Sequence, residues 1–257
     1  MKFDELDARM RTGEYFHNLR VPPFAWTVIR VDGRSFSRFT EKMKKPFDEE
    51  FHDAMCGVAK TLFEDFQGVY AYTESDEISL LLPKDTDLFD REVEKLVSVS
   101  AALAASTITA YYKGEYPPCA FDSRIWVGMT DQDVTDYFRW RAADAHRCAL
   151  NSYAYWTLRL RDGMSEHEAS RTLERKGIEY KEEILQKHGL KFENAPAWQR
   201  LGTGFYWEAY SKEGWNPIKQ EKVMAERRRV KIDKDLPVGD EYSSFILRLL
   251  PKKEEAK

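Results

Sequence analysis

The chain has 257 residues, with 40 Lys and Arg set against 44 Asp and Glu for a net charge of -4. With 42% hydrophobic, 33% charged and 14% aromatic residues, it is neither disordered nor collagen-like; it is a folded protein of one generous domain or two small ones. No global basic field recruits nucleic acid, so any RNA or phosphate contact must come from a local patch. Cys56, Cys119 and Cys148 are odd in number and far apart, which makes neither a disulfide framework nor a zinc knuckle and fits a reducing cytoplasm. The opening run KFDELDAR is charged, and no stretch approaches about 18 uninterrupted apolar residues. The expectation is a cytoplasmic protein off the membrane.

In chain order, Ala25 to Val31 is short, β-branched and bounded by prolines upstream and an AspGly pair downstream, which predicts a buried strand ending in a turn. Asp48 opens a segment in which Phe51, Met55, Val58, Ala59, Leu62, Phe63 and Phe66 form one apolar helical face. Val69 to Leu82 predicts two strands joined through a polar turn at Thr73 to Glu77, a hairpin. Leu88 to Tyr112 carries Phe89, Val93, Leu96, Val97, Ala101, Ala104 and Ile108 at helical spacing, and Phe121 to Met129 is a further strand. The order β, α, β, β, α, β is ferredoxin-like, an antiparallel sheet with helices on one face, and predicts an α+β palm-type domain over residues 1–132.

After Asp131 the character changes. Val134 to Leu160 is a long helical stretch rich in Arg and aromatics, and Ser165 with Glu168 makes a capping-box signature for the next helix. Residues 133–257 are therefore expected to form a mainly helical C-terminal region. Beyond Tyr206 the periodicity weakens; Lys219 to Lys234 holds seven Lys or Arg against three acids, and a charged tail follows Pro251.

Asp32 lies where the first strand ends, and Asp76 lies at the tip of the hairpin. In a palm sheet these ends are neighbours. Paired carboxylates beside a backbone carbonyl suit a hard divalent cation, because Mg²⁺ takes oxygen ligands and keeps waters and substrate phosphates for the rest. Two such ions roughly 3.5 to 4 Å apart would activate an attacking hydroxyl and stabilise a leaving phosphate. The same residues also fit a plain AspGly turn and a solvated SerAspGlu loop, and composition does not choose between the two.

Motif order does. VIRVDGRSFSRF from Val28, KPFD from Lys45, AYTESDEIS from Ala71, YFRWRAADAHR from Tyr137, GMSEHEA from Gly163 and RLGTG from Arg200 together resemble the tRNA-histidine guanylyltransferase superfamily over about residues 1 to 210. The resemblance implies a polymerase-type palm working in the reverse, 3′-to-5′ direction on the 5′ end of tRNA, followed by a finger-like C-terminal region. It implies two Mg²⁺ ions held by Asp32, Asp76 and the Gly33 carbonyl. GTP, ATP and other nucleoside triphosphates are the implied substrates, with triphosphate contacts from Ser75 and Lys95, Arg30 near a second triphosphate, and Asp48 in the segment facing the incoming base. The family's arginine three before the helix lysine is Glu92 here, and Arg91, four before Lys95, is expected to share the phosphate role on one helix face. Glu77 either supports the turn or joins the metal site. A homotetramer is implied as well.

One segment departs from the pattern. Guanylyltransferases proper carry HisIleAsnAsnLeuTyrAsn where this chain reads HRCALNS from His146 to Ser152. That departure resembles the branch of guanylyltransferase-like proteins, which add templated nucleotides to 5′-truncated tRNA. Templated 5′-end repair is the main expectation, and addition of one guanosine to tRNA-histidine the alternative. Arg227, Arg228 and Arg229 are candidate grips for tRNA phosphates or a solvated charge run. Trp126, Trp140, Trp156 and the tyrosines from Tyr137 to Tyr155 suit core or subunit packing, with base stacking as the functional reading. His146 reads as a polar surface or interface residue, and Cys148 as a spectator thiol.

Overall fold

The computed structural model describes residues 2–216 and 220–251; Lys219 and the charged tail after Pro251 lie outside them. After α1 (Phe3–Arg11), β1 (Trp26–Arg34) and the short α2 (Phe36–Phe39) come α3 (Glu49–Asp65), β2 (Tyr70–Glu74), β3 (Glu77–Leu82), α4 (Val93–Tyr111) and β4 (Ala120–Gly128). The rest comprises α5 (Asp131–Leu160), α6 (Glu166–Leu173), α7 (Ile178–Lys187), α8 (Ala197–Leu201), β5 (Thr203–Asn216), β6 (Glu221–Asp233) and α9 (Gly239–Leu249). The strands form one sheet in the order β4-β1-β3-β2-β5-β6, with every described pairing antiparallel. The first four strands keep the expected ferredoxin-like order.

Alternation along β1 explains why both faces of this sheet are covered. Ile29 and Val31 join a core with Met55, Leu62 and Phe63 of α3 and Leu96, Ala104 and Ile108 of α4. Trp26 and Val28 point the other way, into a second core with Val134, Tyr137 and Phe138 of α5 and Tyr242 and Ile246 of α9. Helices on one face was therefore too simple an expectation. The 19 residues of α4 are long and apolar enough to cross a membrane by length and composition, and in this fold one side of the helix lies on the sheet.

Three other expectations need correction. Asp32 and Gly33 do not form a turn: β1 runs through them, Asp32 opposite Glu77 and Asp122, and Gly33 opposite Phe121. The chain reverses only at Ser35, whose φ is 61°. Leu88 to Arg91 is not part of α4, because Phe89, Asp90 and Arg91 all take left-handed backbone; Arg91 thus lies off the helix that carries Lys95. The C-terminal region is not only helical, since Ala71 to Thr73 of β2 pairs with Thr203 to Phe205 of β5, which extends the palm sheet by a long ribbon. Past Tyr206 that ribbon has no third strand on the described residues, so both faces tolerate polar side chains and no alternation marks it.

The helix starts follow their capping chemistry. Asp48 accepts the Phe51 N–H at 2.9 Å as N-cap of α3. Thr130 and Asp133 form a capping box at α5, and Ser165 with Glu168 forms the expected one at α6.

Candidate active site

Between Glu74 and Glu77, which pair across the hairpin, only Ser75 and Asp76 make the turn, with Ser75 at φ 50°. The turn docks on β1, where the Gly33 N–H donates to the Asp76 carbonyl at 3.1 Å. A Cβ at Gly33 would lie 2.8 Å from Asp76 Oδ2, so glycine is what lets the carboxylate close over the strand. Asp32, Gly33 and Asp76 line a common cleft of about 610 Å³ together with Glu74, Ser75 and Asp48. Ser75 donates from Oγ to Asp76 Oδ1 at 3.1 Å.

Electrostatically the cleft is an acid cluster under strain. Burial pushes Asp76 up to about 6, with repulsion from Asp32 adding to it. Glu74 is pushed up to about 8 by burial and then by Glu77. Carboxylates held this far from their ordinary range gain from a cation that restores the charge balance. Two acidic side chains and a glycine backbone, on β1 and the hairpin turn beside it, make an oxygen-rich donor set of the kind Mg²⁺ takes.

Glu77 is different. Its carboxylate accepts two hydrogen bonds from Arg141 of α5, at 2.6 and 2.8 Å, and Arg141 also reaches Asp144 at 3.1 Å. That bidentate pair ties the hairpin to α5 and gives Glu77 a supporting role.

The expected phosphate contacts fall into two groups. Ser75 and Asp48 line the cleft, and both Asp48 oxygens accept backbone N–H groups, from Phe51 and Lys44. Arg30, Arg91 and Lys95 lie outside the cleft lining. Arg30 packs over Trp140 at 5.5 Å and faces Glu77 at 3.9 Å. Lys95 pairs with Glu92 at 3.2 Å, a buried carboxylate that also meets His17 at 2.9 Å, and Arg91 offers its carbonyl to the Val21 N–H. The guess that Arg91 and Lys95 share a helix face therefore fails. On β6, Arg228 stacks over Trp207 and Arg229 pairs with Glu208 at 2.7 Å.

Several cleft residues were not singled out from sequence: Lys44, Lys45, His52, Trp198, Gln199 and Glu74. Lys45 belongs to the KPFD motif, in which only Asp48 was given a role, whereas Trp198 and Gln199 arrive from a distant helix. Tyr137 is buried in the core, as packing suggested, while Trp140 is exposed beneath Arg30 and Arg141. Cys148 and Ser152 of the altered segment line the carboxylate cleft. His146 and Asn151 instead face a second cavity of about 1110 Å³ behind α5. Arg139, Arg147, Arg175, Lys176, Lys181 and Arg200 line that cavity, with no carboxylate among the lining residues.

A palm sheet with paired carboxylates on a central strand and the adjoining hairpin turn, closed by a helical region, defines a nucleotidyltransferase class. Residues 7–128 match the family described as tRNAHis guanylyltransferase, and residues 132–242 match the Thg1 C terminal domain. A probable tRNA(His) guanylyltransferase of Dictyostelium discoideum is 36% identical over 69% of this chain and 73% of its own length. The tRNA(His) guanylyltransferase of Debaryomyces hansenii is 32% identical over 81% and 84%. Among solved structures, the Saccharomyces cerevisiae tRNA(His) guanylyltransferase superposes with TM-score 0.67 at 29% identity, covering 72% of this chain and 87% of that one. A bacterial tRNA(His) guanylyltransferase-like protein in complex with ATP gives 0.73 at 23% identity, covering 95% and 99%. The chain belongs to the tRNA(His) guanylyltransferase family.

Proposed function

We propose that this chain adds a guanylate to the 5′ end of tRNA(His), with Asp32, Asp76 and the Gly33 carbonyl holding two Mg²⁺ ions. The observation that carries the reading is the docking of the Ser75–Asp76 turn on Gly33, which brings a carboxylate of β1 and one of the hairpin turn to one cleft. Relatives 32–36% identical bear the guanylyltransferase name, whereas the likeness to the bacterial guanylyltransferase-like proteins, at 22–23% identity, speaks for fold alone.

In the transfer step the 3′-hydroxyl of the incoming nucleoside triphosphate attacks the 5′-triphosphate of the tRNA, and pyrophosphate leaves. A tRNA that begins with a monophosphate needs prior adenylylation by ATP, because a monophosphate offers no good leaving group. When bound, the ions supply charge neutralisation and lower the pKa of the attacking hydroxyl. The protein's own part is placement: Ser75 hydrogen-bonds Asp76, Lys44 and Lys45 bring positive charge to the cleft wall, and the Glu77–Arg141 pair fixes the hairpin. The cationic cavity behind α5 supports an RNA partner by phosphate attraction without base reading.

Templated 5′-end repair is the second reading, favoured by the placement of Cys148 and Ser152, both in the altered segment, in the cleft wall. The test is incubation of the chain with Mg²⁺, all four labelled triphosphates and 5′-triphosphorylated tRNAs whose opposing base is varied, followed by 5′-end sequencing. Guanylate added to tRNA(His) whatever the opposing base bears out the first reading, and nucleotides that track the opposing base on several tRNAs select the second. No incorporation into any tRNA refutes both.

A further inference from the structure

One stretch of α5 separates two chambers. Cys148 and Ser152 face the carboxylate cleft, whereas His146, Arg147 and Asn151 face the cavity behind the helix. The short α8 divides in the same way, with Gln199 in the cleft wall and Arg200 in the cavity wall. A helix with its side chains is about 10 to 12 Å across, so the two chambers are close neighbours. The cavity's cations are only partly spent on acids. Arg147 is held by Asp144 at 2.5 Å, and Arg139 and Arg175 lie 3.9 Å from Asp240 and Glu174. Lys176, Lys181 and Arg200 have no ion-pair partner among the described residues, and Lys181 and Arg200 are half-buried. Between the cations runs an apolar wall that includes Leu201, Leu236, Ile178 and Val238, the last two exposed at 56% and 59%.

A ligand for this cavity must carry negative charge and apolar surface together. Duplex RNA turns its phosphates outward and keeps its bases stacked inside, so it would satisfy the cations and leave the apolar wall wet. Unpaired nucleotides offer both, phosphate to the cations and base faces to apolar side chains and guanidinium planes. We propose that the cavity behind α5 takes the single-stranded 3′ overhang of an RNA whose 5′ end lies in the carboxylate cleft. This rests on the reading that the chain acts on the 5′ end of tRNA, where the strand opposite the reacting end continues as unpaired nucleotides. At about 3.4 Å of rise per stacked nucleotide, roughly three or four nucleotides cover the width of α5. Contacts to phosphates and base faces tolerate any sequence, so the overhang is held alike whether the added nucleotide is a fixed guanylate or a templated one. Gripping it from the far side of the helix anchors the end of the stem at the cleft.

The test is fluorescence anisotropy of the full chain with hairpin RNAs that share one stem and end blunt, in a short unpaired 3′ tail, or in the same tail made of abasic nucleotides. The natural tail should tighten binding roughly tenfold over the blunt stem, and the abasic tail by roughly threefold. Lys181→Gln should bring the natural tail's advantage to within about threefold. Ile178→Ser, at an exposed position, should weaken binding of the natural tail and not of the abasic one; circular dichroism checks that both variants fold. A blunt stem that binds as tightly as the tailed one overturns the assignment. So does an abasic tail as good as the natural one, or a pair of variants that weaken blunt and tailed RNA by the same factor, which would point to duplex backbone in the cavity. Nucleotide addition is read on the same RNAs. Tail-dependent binding without any addition leaves the cavity assignment standing and overturns the 5′-end reaction, whereas addition with no effect of the tail on binding overturns the cavity assignment alone. Failure of the parent chain to bind any of the RNAs overturns both.

Discussion

Arg141→Met tests whether the helical region holds the Ser75–Asp76 hairpin. In the parent, the Arg141 side chain is 7% exposed and its Glu77 partner 14%, with hydrogen bonds of 2.6 and 2.8 Å between them. Removing the arginine leaves Glu77 with Arg30 at 3.9 Å as its remaining cation. A buried ion pair that loses one partner costs about 3–5 kcal/mol, and the Arg30 remnant places this variant near the lower end, at about 3 kcal/mol. Pairing it with Glu77→Met removes both charges, so the double variant should recover about 2 kcal/mol relative to the sum of the singles. The pH dependence has a definite sign. Burial already raises the Glu77 pKa and Arg141 opposes that rise, so without Arg141 the folded-state value climbs further above the unfolded one. The penalty is then full above the folded pKa and fades as pH falls and Glu77 takes a proton. Urea unfolding at pH 8 and pH 5.5 measures all three quantities. A cost under about 1 kcal/mol at pH 8, a cost that grows on acidification, or additive singles would refute the argument that this pair fixes the hairpin.

Asp76→Asn should abolish nucleotide addition with an unchanged circular dichroism spectrum. In chelator it should also unfold at higher urea than the parent at pH 8: Asp76 is pushed up to about 6, so the parent loses stability as pH rises from about 4 through 6 and the variant does not. Lys45→Ala should raise the GTP concentration needed for half-maximal transfer more than Lys95→Ala does, because Lys45 lines the cleft while Lys95 is held by Glu92; steady-state kinetics decides, and equal effects count against the cleft. His52, lowered to about 4, favours the folded state fully above its unfolded value and less as pH falls from about 6.5 towards 4, by up to roughly 3 kcal/mol. His52→Gln should flatten that part of the urea midpoint against pH curve.

Local pattern carried most of the palm. The apolar face of α3, the hairpin at Ser75–Asp76 and the capping box at Ser165 each depend on residues within a few positions of one another, so the chain writes them openly. The carboxylate pair was not settled by spacing, which suits plain turns as well; motif order singled out Asp32 and Asp76 by resemblance, and the pairing of Asp32 with Glu77 puts the hairpin turn beside β1. Other features had no local mark. Three successive left-handed residues, Phe89 to Arg91, contain no glycine; each costs of the order of 1–2 kcal/mol, and the Glu92 hub with His17, Arg20 and Lys95 lies beside them. The pairing of Thr73 with Thr203 joins positions 130 residues apart, which periodicity cannot report. Because β5 went unread, Trp198 and Gln199, just ahead of it, could not be placed beside the carboxylates.

That late strand changes what the C-terminal region is for. Tyr72 of β2 donates to the Leu201 carbonyl at 3.0 Å, and a Cβ at Gly202, φ 74°, would come within 2.5 Å of the Tyr72 hydroxyl. Glycine is therefore required where α8 turns into β5, and the corner sits locked against the palm. From it project Trp198 and Gln199, while Cys148 and Ser152 approach the same cleft from α5. Every cleft residue proposed to hold metal comes from the first 76 positions, whereas Cys148, Ser152, Trp198 and Gln199 of the facing wall come from beyond position 145. With the two sets on separate stretches of chain and joined at a rigid corner, substitutions at Cys148 or Ser152 are expected to leave the Asp32–Gly33–Asp76 geometry fixed. Exchange of the segment from His146 to Ser152 should therefore change which nucleotide is added, read by 5′-end sequencing, while the amount added holds; a loss of all addition in a folded variant would refute that separation.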